Sequence, residues 1–295
     1  MRFLFVACLT VLVSVSAGQA DAPKRVLSVG GAVTETVYAL GAGDSLVAVD
    51  QTSLYPWEKT HLLPNVGYVR ALAAEGLLSL KAEILLAGPE AGPPAILDQV
   101  EMAGLRVVRL PDGYTPDKAI ERIVLIGKAL DRDTEAKEIT TALIADLASV
   151  QKELATIKSH PRVLFLLQAG RGAPMAGGTN TAADGIIVLA GGINAASDIR
   201  GYKPLSPEAA IIAKPDIIIM MKQSVDAIGG ADKVLALTEL AETPAVRNGK
   251  LIVIDGVYAL GFGPRLAHAA HDLAAEFHPE HKFPPLPDRA WTKAQ

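Results

Sequence analysis

The sequence predicts an α/β protein of two Rossmann-like lobes with central, mostly parallel sheets, connected by a single long α-helix. Three observations carry that prediction. Short, uninterrupted apolar runs such as 84–87 and 217–221 alternate with helical stretches, the pattern of parallel strands covered on both faces. One supersecondary unit occurs twice: AEGLLSLKAEILL at 74–86 and PEAAIIAKPDIII at 207–219 align at a constant offset of 133, matching Glu75 with Glu208, Lys81 with Lys214 and Glu83 with Asp216. Between the copies, residues 133–158 contain no Gly or Pro, and Ile139, Leu143, Leu147, Val150, Leu154 and Ile157 recur every three or four positions. At about 1.5 Å per residue such a helix spans roughly 40 Å and acts as a rigid strut, where a flexible hinge would be Gly-rich or polar.

In chain order, residues 1–20 have the features of a secretory leader. Arg2 is the positive end, 3–15 the apolar run, and Ala17-Gly18-Gln19-Ala20 a small-residue cleavage site, so the mature chain would begin at Asp21. The alternative, a membrane anchor, needs about 20 apolar residues, and this run is shorter. The N-terminal lobe covers 21–131: a strand in RVLSVGG, a helix opening near Thr34, a strand at 46–49, an irregular run at 50–68, a short helix at 73–80, and a strand at 84–87. A helix at 95–103 and a strand at 106–110 follow. After the linker helix, 132–159, the C-terminal lobe covers 160–295. It contains a strand at 163–167, a Gly-rich loop to Thr181, helices at 182–189 and 207–213, a strand at 217–221, and an extended tail beyond Pro279.

Composition excludes several classes. With 295 residues, half of them apolar, the chain can bury two ordinary cores. A net charge of −4 spread without long runs of one sign offers no nucleic-acid surface. The single cysteine, Cys8, lies in the leader, so thiol catalysis, disulfides and Cys metal ligation are not expected of the exported chain. GGAVTET and AGRGAPMAGGTNT match no phosphate-loop pattern, and no nucleophile elbow or H-E-x-x-H is present, so no catalytic residue is assigned. The pairs His268/His271 and His278/His281 fall on a helix and beside the tail, which does not build a tetrahedral metal site.

The chemistry concentrates in NVGYVRALAAEGLLSLK, 65–81. Tyr68 is in a loop two residues ahead of Arg70. A phenolate is a hard anionic ligand suited to ferric iron, and a neighbouring guanidinium favours the charged phenol. The alternative is an amphipathic loop Tyr with its hydroxyl in water. Glu75 and Glu208 each occupy a first helical turn, where the helix dipole alone accounts for a carboxylate. Their equivalent placement in two lobes would also give two acidic contacts to a basic partner surface. Arg171 and Met175 in the second Gly-rich loop, and Tyr258 and Phe262 in GVYALGFGPR, are candidates for a pocket wall or for ordinary packing.

These stretches, with VLSVGGAVTETVYALGAGDSLVAVDQTSLYP, LLQAGRGAPMAGGTNTAAD and LSPEAAIIAKPD, resemble the periplasmic haemin-binding proteins of haem ABC importers. The resemblance covers essentially the whole exported chain, and the GYVRALAAEG run with its preceding Asp-x-Thr-Ser-x-Tyr-Pro is its most specific part. It implies a non-enzymatic, monomeric periplasmic carrier of ferric haem b. Tyr68 would be the axial iron ligand, with Arg70, Arg171, Met175, Tyr258, Phe262 and Arg265 around the haem and the last two arginines near its propionates. Glu75 and Glu208 would dock onto an inner-membrane permease, downstream of an outer-membrane receptor system. Some members hold a second haem through a His of the second lobe, and 167–171 here contains none. The same fold also serves cobalamin and ferric-siderophore carriers, and an exported haem-modifying enzyme is the alternative from another class.

Overall fold

The computed structural model describes residues 22–170 and 172–292. The expected leader 1–20, with Cys8, and Arg171 lie outside them. The first sheet contains β1 (Val26–Val29), β2 (Leu46–Val49), β3 (Ile84–Ala87) and β4 (Arg106–Arg109), all parallel in the order β2-β1-β3-β4. Strands β1 and β3 are buried throughout, as their unbroken apolar runs require. The edge strand β4 reads Arg-Val-Val-Arg with both arginines exposed, and charged ends of this kind discourage pairing with another chain.

The second sheet uses β5 (Arg162–Gln168), β6 (Met175–Gly177), β7 (Ile193–Asn194), β8 (Tyr202–Pro204), β9 (Ile217–Met221) and β10 (Leu251–Ile254). Its order is β10-β9-β5-β6-β8, with β7 also on β5. The strands β10, β9, β5 and β7 are parallel, whereas β6 runs antiparallel to β5 and β8. The reason is local: only a short loop joins β5 to β6, too short for the crossover a parallel pair needs. The Gly-rich stretch expected to be loop up to Thr181 therefore contains a strand.

The repeated unit of the sequence is a repeated unit of structure. Helices Ala74–Ser79 and Pro207–Ala213 precede β3 and β9, and each is followed by a lysine in the left-handed region, Lys81 at φ 50° and Lys214 at φ 46°. The Glu83 and Asp216 amides donate to the Arg25 and Arg162 carbonyls at 2.8 and 2.7 Å. Arg25 Nε donates to the Lys81 carbonyl, and Arg162 Nε to that of Ala213, so each arginine caps the C-terminal end of its helix. This arginine pair is an element of the repeat that the 13-residue alignment did not reach.

The long helix runs Asp133–Leu154, four residues short of the expected end. Its 22 residues span about 33 Å. Ile139, Leu143, Leu147, Val150 and Leu154 are buried, so it is a packed element along one side. Its neighbours are helices Pro116–Ala129 and Leu266–Phe277. The first of these was not anticipated, although Thr115 caps it by accepting from the Lys118 amide and Pro116 opens its first turn. Gly127 is required where it approaches the long helix: a Cβ there would stand 2.5 Å from that of Ala136.

One core cluster joins Val26 and Ile84 of the first sheet, Ile139 and Leu143 of the long helix, and Phe165 and Ile219 of the second sheet. The lobes thus share apolar packing. The tail crosses this body in extended form. Phe283, Leu286 and Trp291 pack on the core, and Arg289 holds the buried Asp146 of the long helix in a two-pronged pair at 3.2 and 2.7 Å. Among the described residues no helix is long and apolar enough to cross a membrane.

Candidate functional site

In the first sheet the strand order reverses between β1 and β3, and ligands of open α/β sheets bind outside the carboxyl ends of strands at such a point. A cavity of about 440 Å3 opens there, within the range of small-ligand sites. Gly30, Gly31 and Gly88 to Glu90 line it from the strand ends of the first sheet, and Met221, Gln223, Val257, Leu260 and Phe262 from those of the second. Tyr68, Val69 and Arg70 form another wall.

The wall geometry follows from local chemistry. Asp50 is buried, and its Oδ1 accepts from the Gly30 amide at 2.7 Å and the Ser53 hydroxyl at 2.7 Å. Its Oδ2 accepts from the Thr52 amide and hydroxyl at 2.8 and 2.6 Å. A carboxylate satisfied at both oxygens fixes the loop against the end of β1, and Gly31 is required because a Cβ would lie 2.6 Å from the Thr52 carbonyl. The Gln51 amide then donates to the Gly67 carbonyl at 2.9 Å, Gly67 itself adopts φ 95°, and the Ala71 amide donates to the Tyr68 carbonyl at 2.8 Å. These bonds present Tyr68 at 47% exposure over the cavity. Among the described residues, neither its hydroxyl nor the exposed Arg70 guanidinium has a hydrogen-bond partner.

The remaining expected residues divide. Phe262 lines the cavity with its ring buried and edge-on to Tyr114 at 5.7 Å. Arg265 does not reach it: its guanidinium is committed to Glu35 at 2.9 and 2.8 Å, the two side chains 11% and 4% exposed, with the Tyr55 ring 3.5 Å away. Glu35 takes the Nε–Nη2 edge of that guanidinium, and Arg265 is not part of the cavity lining. Tyr258 is likewise turned aside, donating to Asp272 at 2.7 Å, and burial with that carboxylate pushes its hydroxyl far above the ordinary value. Met175 lies on β6, apart from the cavity lining.

Three ionisable lining residues escaped the sequence reading: Glu90, Tyr114 and Arg122. Tyr114 donates to Glu90 Oε1 at 2.7 Å, and burial, then the Glu90 charge, raise its pKa. Arg122 is buried and donates to the carbonyls of Pro111, Gly113 and Phe262 at 3.1, 2.8 and 3.3 Å. Burial among neutral acceptors lowers its pKa, the Glu90 charge opposing. A signal for Glu90 existed: it follows Gly88-Pro89 at the carboxyl end of a buried strand beside the reversal of order. Arg122 was hidden because its helix was not anticipated.

Glu75 and Glu208 are exposed in the first turns of their helices. Each helix leads into the strand that follows, Glu75 ahead of β3 and Glu208 ahead of β9. The backbone amide of Glu208 and the Ser206 hydroxyl hold the Glu208 carboxyl below the usual range. The histidines serve the tail: His271 Nε2 lies 3.0 Å from the Pro284 carbonyl and His268 Nε2 3.3 Å from that of Pro287. Among the described residues no group of three His, Cys, Asp or Glu side chains could hold a metal ion.

The two-lobed fold, with a cavity at the facing strand ends, is that of a substrate-binding protein. The chain belongs to the periplasmic binding protein family, Peripla_BP_2, matched over residues 26–258. It is accordingly a substrate-binding transport protein of the ABC-importer type and not an enzyme. Among solved structures it is similar to the periplasmic heme-binding protein RhuT from Roseiflexus sp. RS-1 in apo form, 38% identical with a TM-score of 0.83, covering 87% of this chain and 98% of that one. It is also similar to the periplasmic heme-binding protein BhuT in complex with two hemes, 35% identical with a TM-score of 0.82, covering 87% and 98%. By sequence it resembles a vitamin B12-binding protein of Yersinia pseudotuberculosis serotype O:1b (strain IP 31758), 30% identical over 222 residues, covering 72% of this chain and 75% of the relative.

Proposed function

We propose that the cargo is ferric haem b, bound in the cavity with Tyr68 as iron ligand and delivered from the periplasm to an inner-membrane ABC permease. The observation that carries this reading is the Tyr68 hydroxyl, half-exposed over an apolar-walled cavity and without a protein partner among the described residues. Arg70 on the same wall supplies the positive charge that favours a phenolate. The solved structures named for heme at 35% and 38% identity support it further. Titration of the purified protein with ferric haem is expected to give a tyrosinate-type high-spin spectrum that Tyr68→Ala abolishes. An unchanged spectrum in that variant removes Tyr68 as ligand.

Export through cleavage after Ala20 and docking through Glu75 and Glu208 belong to the same proposal, as does receipt of cargo from an outer-membrane receptor system. Reversing both glutamates is expected to impair uptake while haem affinity in solution stays intact. A cobalamin carrier is the second reading, favoured by the relative named for vitamin B12. A corrinoid brings its own cobalt ligands, so Tyr68→Ala would leave cyanocobalamin affinity nearly unchanged.

A further inference from the structure

We propose that Glu90 is a selectivity group of the cavity, turning ligand carboxylates away from the inner wall and accepting N–H or O–H donors there. An acid-bearing macrocycle then enters with its acids toward the Arg70 rim. The inference rests on the reading of this cavity as the ligand site.

Glu90 is half-buried directly after Gly88-Pro89, and its Oε1 is held by the Tyr114 hydroxyl at 2.7 Å. Tyr114 is itself fixed by its edge contact with Phe262, so the carboxylate cannot swing out of the cavity without breaking a built arrangement. Oε2 has no protein donor among the described residues, which leaves an anionic acceptor facing whatever enters. Arg122 does not cover it, because that guanidinium is spent on three backbone carbonyls and forms no ion pair among the described residues. Arg122 still lies within electrostatic range of Glu90 and partly balances its charge from behind, but Oε2 remains without a donor among the described residues. The rest of the lining is apolar or neutral apart from Arg70, which is exposed. The cavity is therefore polarised, with a cation at its rim and an anion within. Building repulsion against the wrong orientation is a recognised route to selectivity.

The test compares ferric haem with its dimethyl ester, and cyanocobalamin with its monocarboxylate, on the wild-type protein, Glu90→Gln and Glu90→Asp. Glu90→Gln is expected to tighten the acid-bearing member of the bound pair on the order of tenfold relative to its neutral partner, the low end of what like-charge juxtaposition costs. Glu90→Asp, which keeps the charge, is expected to restore the wild-type ratio. An unchanged ratio in Glu90→Gln, or an equal change for both members, overturns the assignment. Absence of a tyrosinate spectrum in the wild type, with the Glu90→Gln shift in the ratio present, would count against Tyr68 alone, whereas binding of neither macrocycle by the wild type removes the functional reading and this inference together.

Discussion

At the scale of single residues, the molecule separates groups that are committed from groups that are held ready. Tyr68 and Arg70 have no side-chain hydrogen-bond partners among the described residues, while Arg265, three residues after Phe262 in the expected pocket motif, is locked to Glu35. Exposed side chains away from special features are replaced at little cost, usually within about 0.5 kcal/mol. Tyr68→Ala is therefore expected to leave the unfolding midpoint nearly unchanged while the haem spectrum disappears, which circular dichroism and absorption read together. Glu35 behaves oppositely. Removing one partner of a buried pair leaves an uncompensated charge, so Glu35→Ala is expected to lower stability by roughly 3–5 kcal/mol in urea denaturation, and Glu35→Leu with Arg265→Met to recover most of it.

At the scale of elements, the long helix and the tail depend on each other. Asp146 is a buried carboxylate on the helix, and its partner Arg289 comes from the extended tail. Gly127→Leu is expected to force the two helices apart and to cost about 1–3 kcal/mol, as overpacking does. The tail also titrates. Burial lowers the pKa of His268, near Asp146, Asp272 and His271, and that of His278, near Glu280, His160 and His281. Both are thus held neutral in the folded chain below their unfolded value near 6.5. Because the unfolded chain binds more protons as pH falls, their contribution is present above about pH 6.5 and is lost on acidification. The unfolding midpoint is expected to fall between pH 7 and pH 5, less steeply in His268→Gln with His278→Asn. An equal slope in that double variant would place the pH dependence elsewhere.

At the scale of the whole molecule, the shared core decides how the cavity can open. Val26, Leu143 and Phe165 belong to one apolar cluster, and Glu35–Arg265 and Arg122 with the Phe262 carbonyl cross between the lobes. Large hinge closure would break these contacts, so ligand binding is expected to produce small twisting, with no resolvable change in scattering radius on haem addition. The equivalent glutamates, each in the first turn of a helix that leads into β3 or β9, then form a rigid pair of points. Glu75→Lys with Glu208→Lys is expected to reduce uptake well beyond either single change, because each surface ion pair alone is weak.

Much of this was legible in residues 65–81, in the 133-residue offset and in the linker periodicity, because periodicity and repetition are local properties that survive any packing. Strands 46–49, 84–87 and 217–221 and helices 182–189 and 207–213 fall where the apolar pattern put them. Helix Pro116–Ala129 and the strand inside the second Gly-rich loop do not stand out in the sequence, since the first announces itself only by the Thr115-Pro116 cap and the second is three residues of antiparallel pairing. The sequence by itself determined the two-lobed body and the candidate ligand Tyr68. Only tertiary structure decided that Arg265 and Tyr258 are occupied with Glu35 and Asp272, and that Glu90 and Arg122 face the cavity. The physical reason is that a charged side chain's role depends on which opposite charge or carbonyl lies within about 3 Å, and those partners here come from up to 230 positions away in the chain.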